Sequence, residues 1–81
     1  MYLIGDIGNT ETKICIINSR SKIIIYKTLK TNLIKFQYLK RNLKFLSKYN
    51  KKITKILFSS VVPKVFNIIK LFIEKKTKLK C

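Results

Sequence analysis

The sequence predicts an α/β protein built on one mixed sheet in the order β-β-β-α-β-α. Three observations predict it. Three short apolar runs follow one another from the N-terminus, divided by Gly8-Asn9 and by Asn18-Ser19-Arg20-Ser21, both turn-forming clusters. The apolar spacing then lengthens to three and four residues, the period of a helix with one face on a core. A fourth apolar run leads into Val62-Pro63, and a proline is well placed at the first position of a second helix.

Taken in order, residues 1–7 form a short strand that stops at Gly8-Asn9, where positive φ is expected because Gly accepts it freely and Asn tolerates it. Residues 12–18 form a second strand, and residues 22–27 a third carrying Ile23, Ile24, Ile25 and Tyr26. Short polar turns between consecutive strands imply an antiparallel meander. Phe36, Leu39, Leu43 and Leu46 mark one face of a helix over residues 33–49, with Thr31 or Asn32 as its cap and Asn50-Lys51-Lys52 as its end. Tyr38, Phe45 and Tyr49 flank that face, with lysines over much of the rest. Residues 53–58 form a fourth strand, brought to the sheet by the helical crossover. Val65, Phe66, Ile69, Phe72 and Ile73 line one side of a helix over residues 63–75, and the tail from Lys75 is expected to fray. No linker or internal repeat divides residues 1–81, so they are read as one unit, a single small domain or part of a larger one.

Composition narrows the function classes. The chain has 81 residues, 47% of them hydrophobic, which excludes disorder as the default. No apolar run is long enough to span a bilayer, and Asp6 and Glu11 lie where a signal peptide carries basic and unbroken apolar residues, so a cytoplasmic protein is expected. Cys15 and Cys81 make no disulfide framework, and with no histidine present there is no metal-ligand spacing. Cys15 is expected to be a buried small hydrophobe and Cys81 a frayed terminal thiol. The net charge of +16, from 19 basic and 3 acidic residues, suggests a second class, a small basic module for nucleic acid or an anionic membrane surface. Against it, only Arg20 and Arg41 are arginines, and the lysines are scattered, with no dense block before Lys75-Lys76-Thr77-Lys78-Leu79-Lys80. Abundant Ile and Asn beside absent Ala and Trp fit compositional drift instead.

The segment that bears chemistry is Asp6-Ile7-Gly8-Asn9-Thr10-Glu11-Thr12-Lys13, at the first hairpin. Gly8 permits close backbone approach, and N–H groups in a tight turn converge on anionic oxygens. Asn9 and Thr10 add short hydrogen-bonding side chains, and Lys13 adds a positive point charge. Asp6, one of the 3 acidic residues, is a candidate Mg²⁺ ligand, since that ion commonly takes one or two carboxylates and fills its shell with water and phosphate. The same residues also suit an ordinary hairpin turn with the carboxylate capping backbone N–H groups.

Asp6-Ile7-Gly8-Asn9-Thr10 with Lys13, after an apolar strand, resembles the first phosphate-binding motif of type III pantothenate kinases, and Ser59-Ser60-Val61-Val62-Pro63 resembles a later strand-end and helix-start phrase of that family. The resemblance runs from about Tyr2 to Phe72. It implies an incomplete N-terminal half-domain of a ribonuclease-H-like, actin-like ATPase fold. It also implies ATP-dependent phosphorylation of pantothenate at the start of coenzyme A synthesis, by a cytoplasmic homodimer needing Mg²⁺ and K⁺ or NH₄⁺. Asp6 then takes the metal-associated role, and Ile7, Gly8, Asn9, Thr10, Glu11, Thr12 and Lys13 belong to the nucleotide site with it. Gly5 departs from the family, which usually carries a larger apolar residue there, and this is expected to loosen the strand. The family's later Gly-x-Asp-Arg segment holds the general base, yet no Asp follows Asp6 here, so no catalytic residue is assigned and the base is expected beyond Cys81. The chain alone is therefore expected to be inactive, as an interrupted kinase or, alternatively, a remnant without function.

Scattered lysines make one prediction about the competing class. Association with duplex DNA should lack the steep salt dependence, roughly 10³-fold or more between 50 and 200 mM, that engaging many phosphates produces. Fluorescence anisotropy across that salt range measures it.

Overall fold

The structure, a computed structural model, describes residues 1–79. Cys81 and the expectation attached to it lie outside these residues. Strands β1 (Tyr2–Ile7), β2 (Glu11–Ile17), β3 (Ile23–Lys30) and β4 (Lys55–Ser60) form a four-stranded sheet in the order β3-β2-β1-β4. The first three pair antiparallel and β4 joins β1 in parallel, giving the mixed sheet that the element order predicts. Three α-helices complete the fold: α1 (Phe36–Asn42), α2 (Phe45–Tyr49) and α3 (Pro63–Thr77).

Alternation decides which strand residues enter the core. Leu3 and Ile7 of β1, Ile14 and Ile16 of β2, Leu29 of β3 and Ile56 of β4 are buried in one cluster with Leu39, Leu43, Leu46, Ile69, Phe72 and Ile73 of the helical segments. The helices therefore cover one face of the sheet. Across the other face runs the cross-strand row Tyr26, Cys15, Ile4 and Leu57, with Tyr26 53% and Leu57 48% exposed. Cys15 is half-buried on this open face, which corrects the expectation of a core thiol: its strand position alternates with buried Ile14 and Ile16.

The single helix expected over residues 33–49 is instead three pieces: a 3₁₀ turn at Thr31–Leu33, then α1, then α2. Neither Thr31 nor Asn32 caps α1; its N-cap is Lys35, in extended geometry and without a side-chain capping bond. Thr31 is committed elsewhere, its hydroxyl donating to the Gly8 carbonyl at 2.8 Å. At the other end, the Asn42 side-chain amide donates to the Tyr38 carbonyl at 2.8 Å, and the Leu43 N–H still reaches the Leu39 carbonyl at 2.8 Å. Leu43 then leaves helical geometry at φ −113° and ψ 36°. Of the expected face, Leu39, Leu43 and Leu46 remain buried, while Phe36 at the start of α1 is 45% exposed.

Other boundaries shift for local reasons. Asn18 Oδ1 accepts from the N–H groups of Arg20 and Lys22 at 2.9 and 3.0 Å, so the second turn closes with Ser21 at φ 60° and β3 starts at Ile23. The strand expected over 22–27 continues to Lys30, and the one expected over 53–58 runs from Lys55 to Ser60. Pro63 opens α3 as expected, behind Val62 at φ −129° and ψ 87°, outside both the helical and the regular extended regions. The expected fraying from Lys75 is not seen: the helix continues to Thr77, and left-handed Lys78 closes it by donating its N–H to the Glu74 carbonyl at 2.8 Å.

Gly5 does not loosen β1. It lies beside Phe58 in the parallel register, and a Cβ on it would overlap the Phe58 ring. The ring occupies the space over the glycine and packs against Phe66 with centroids 6.5 Å apart. Gly5→Ala should therefore lower stability by about 1–3 kcal/mol, as overpacking does. The combined Gly5→Ala and Phe58→Ala variant should show clear non-additivity in urea unfolding.

Candidate functional site

Two segments distant in sequence meet at the ends of β1 and β4. Parallel pairing sets Asp6 beside Ser59 and Ile7 beside Ser60, and antiparallel pairing sets Asp6 beside Lys13. Asp6, Lys13 and Ser59 thus share the open face of the sheet, and all three are exposed. The Ser59 hydroxyl donates to Asp6 Oδ1 at 3.0 Å. Among the described residues no backbone amide caps the carboxylate, so the plain hairpin-cap reading of Asp6 does not describe it.

Between β1 and β2 the chain turns through Asn9 and Thr10. The Gly8 N–H donates to the Glu11 carbonyl at 2.9 Å. No glycine has positive φ, and neither Asn9 nor Thr10 does, which corrects the expected left-handed turn. Gly8 matters for space instead: a Cβ there would sit 3.0 Å from the Glu11 carbonyl oxygen. The N–H groups of Asn9 and Thr10 have no partner among the described residues. Two adjacent unpaired amides in an exposed turn are a feature that suits anionic oxygens.

The eight residues of this segment divide by direction. Ile7 is fully buried, so its part is structural; its carbonyl accepts the Val61 N–H at 3.1 Å, tying the second segment to the end of β1. Thr12 is also fully buried and points toward Thr31. Asn9, Thr10 and Glu11 are exposed and, with Lys30 and Asn32, line a cleft of about 560 Å³ beside the turn. Asp6 and Lys13 are not in its lining. Ser60 accepts the Val62 N–H at 3.0 Å, a small turn that leads β4 into α3.

Sequence reasoning missed Thr31, Lys30 and Asn32. Thr31 N–H donates to the Thr10 carbonyl at 3.0 Å, and its hydroxyl holds the Gly8 carbonyl, so the residue is fastened to the turn at two points. A helical-cap reading of Thr31 concealed this, since Ser and Thr ahead of an apolar period signal a cap. Lys30 reaches the cleft only because β3 runs farther than its apolar part, which ends in Thr28-Leu29-Lys30.

The described residues contain no group of three or more His, Cys, Asp or Glu side chains able to hold a metal. A dedicated protein cage is therefore absent among them. A lone exposed carboxylate beside a hydroxyl, open to water, fits Mg²⁺, which keeps much of its hydration shell. The aromatic residues of the first helical region do not form a stacking surface: Tyr38, Phe45 and Tyr49 pack against the core, and Phe36 meets Phe72 edge-on at 5.5 Å. No helix among the described residues is long and apolar enough to cross a membrane.

A mixed sheet with its first hairpin turn at one end and helices on one face matches the N-terminal half-domain of the actin-like ATPase folds. Within that class the particular family is defined by sequence: the family model described as Type III pantothenate kinase matches residues 2–81. The chain belongs to the type III pantothenate kinase family. It is 51% identical over 81 residues to a type III pantothenate kinase of Pelagibacter ubique (strain HTCC1062). The match covers all of this chain and 33% of that relative, so the chain spans about a third of the relative's length.

The Ser59 hydroxyl bond is exposed and joins a strand pair already held by its ladder. Ser59→Ala should change unfolding free energy by less than about 1 kcal/mol, the scale of a single net hydrogen bond. A chemical-denaturation midpoint close to that of the parent checks it.

Proposed function

We propose that this chain is the nucleotide-phosphate-binding part of an enzyme that transfers the γ-phosphoryl group of ATP to pantothenate, the first step of coenzyme A biosynthesis. One observation carries the reading: two adjacent turn amides without internal partners lie on the same hairpin as an open carboxylate and a lysine. Family membership supplies the substrate pair. The wider protein is then a cytoplasmic homodimer that uses Mg²⁺ and a monovalent cation, K⁺ or NH₄⁺.

In this reading the N–H groups of Asn9 and Thr10 bind phosphate oxygens, and their side chains add further hydrogen bonds. Lys13 contributes positive charge from the exposed face of β2. Asp6 holds the magnesium ion through one carboxylate oxygen or an intervening water, while Ser59 steadies Oδ1. When bound, the ion offsets charge on the phosphate oxygens. Gly8, Glu11 and Thr12 keep the turn tight and in place, and Ile7 anchors it to the core. Phosphoryl transfer also needs a group that orients the acceptor hydroxyl. No Asp follows Asp6 in the sequence, and beyond the hairpin segment Glu74 is the only acid. These residues therefore supply phosphate binding and not the general base.

Calorimetric titration with Mg-ATP tests the proposal. Asp6→Asn should weaken Mg-ATP binding by about 10-fold or more, the scale of a charged contact of about 1.5–3 kcal/mol. It should leave binding of metal-free adenosine unchanged. Equal Mg-ATP affinity in parent and variant would remove the metal role from Asp6. The 81-residue chain should show no pantothenate phosphorylation in a coupled assay.

A further inference from the structure

We infer that Thr31 is the positioning residue of the phosphate-binding turn, holding its carbonyls inward so that its amides face a ligand. The inference rests on the phosphate-binding reading of that turn. Thr31 is 4% exposed, at the start of the 3₁₀ turn that follows β3. Its carbonyl accepts the Ile34 N–H at 3.3 Å within the 3₁₀ turn, and its other three hydrogen bonds all run to the first hairpin. Its N–H donates to the Thr10 carbonyl at 3.0 Å, and its hydroxyl donates to the Gly8 carbonyl at 2.8 Å. The Thr12 hydroxyl lies 2.9 Å from the Thr31 hydroxyl oxygen.

The direction of these bonds follows from proton count. A threonine hydroxyl has one proton. Thr31 spends its proton on the Gly8 carbonyl, so Thr12 is the donor of the Thr12–Thr31 bond. The result is a buried one-way chain, Thr12 to Thr31 to Gly8, in which every hydroxyl is satisfied. Such a chain has one arrangement, because reversing it would face the Thr31 lone pairs toward the lone pairs of a carbonyl.

Peptide geometry connects this chain to the ligand side. In a planar trans peptide, the C=O of one residue and the N–H of the next point in opposite directions. No cis peptide occurs among the described residues. With the Gly8 carbonyl drawn to Thr31, the N–H of Asn9, one of the two unpaired turn amides, points away from it, and the bond from Thr31 N–H to the Thr10 carbonyl fixes the far side of the same turn. Without the hydroxyl, the Gly8–Asn9 peptide is free to rotate and present its carbonyl, which repels phosphate. Gly8 makes this rotation easy, having no side chain to restrict it. The hydroxyl of Thr31 thus supplies the restraint that the glycine lacks.

Three variants and two ligands test the assignment. Thr31→Val keeps shape and removes the hydroxyl, Thr31→Ser keeps the hydroxyl, and Thr12→Val removes only the second bond of the chain. Mg-ATP and adenosine are titrated separately, well below each variant's melting temperature. Thr31→Val should bind Mg-ATP about 10-fold more weakly, from loss of a preorganised turn, with adenosine binding unchanged. Thr31→Ser should stay within about 2-fold of the parent and Thr12→Val within about 3-fold, since the Gly8 bond survives in both. Parent-like Mg-ATP binding by folded Thr31→Val overturns the positioning role and leaves the phosphate reading standing. Equal weakening for both ligands also overturns it, because that is a general structural effect. Failure of the parent itself to bind Mg-ATP overturns the phosphate reading and this inference with it. Should Thr31→Val not fold, amide NMR of the parent decides: Mg-ATP should shift Asn9 and Thr10 more than residues 19–21, and absence of that difference overturns the assignment.

Discussion

Strand β1 is the member of the sheet on which the site depends, because it is paired on both sides and its register serves two purposes. Its antiparallel partner places Lys13 beside Asp6, and its parallel partner places Ser59 there. Side chains alternate between faces, so a slip of one residue against either neighbour would exchange the two faces. Asp6 would enter the core and Ile7 would emerge. Burying a lone carboxylate is strongly unfavourable, and exposing a fully buried isoleucine forfeits about 1.5–3 kcal/mol. The hydrophobic pattern of Leu3 and Ile7 thus enforces the same register that presents the carboxylate to solvent. Packing and chemistry are specified by one alternation.

The unusual charge of the chain is handled by distribution. Most lysines are exposed on the helices and strands, while Tyr38, Phe45 and Tyr49 among them pack against the core. The two cation–π contacts seen, Lys48 over Tyr49 at 5.5 Å and Lys76 over Phe72 at 5.8 Å, join residues on the same helices and not a common binding surface. A protein with net charge +16 has a positive field over most of its surface, which favours approach of any anion. Discrimination must then come from short-range geometry, which the proposed phosphate site assigns to the turn at Asn9 and Thr10.

Much of this was legible in the residues. Apolar runs divided by Gly8-Asn9 and Asn18-Ser19-Arg20-Ser21 reported the first strands, and Val62-Pro63 reported the start of α3. The spacing of Leu39, Leu43 and Leu46 correctly gave the buried face, yet it hid the break between α1 and α2. Periodicity records which residues are inside and says little about whether the backbone between them is continuous. The break lies in the backbone of Leu43, at φ −113° and ψ 36°, a residue whose side chain stays on the buried face. Asp6 and the turn were visible as a motif, whereas Thr31 was not, because it lies 19 residues from Thr12 and only the tertiary fold brings the two hydroxyls together. Gly5 misled for a similar reason: its neighbour Phe58 is remote in sequence and fills the space.

The sheet's pairing order has a consequence for chain synthesis. Strands β1 to β3 are contiguous hairpins, so their contacts close small loops and are available as soon as Lys30 is free. The Asp6–Ser59 contact spans 53 residues, and the amino terminus reaches the Lys52 carbonyl across 51. A nascent chain therefore carries the first hairpin turn on a bare two-sided meander, with one edge of β1 unpaired, until β4 emerges. During that interval the chain is most open to pairing with the wrong strand, and the crossover helices shorten the interval by bringing β4 to that edge.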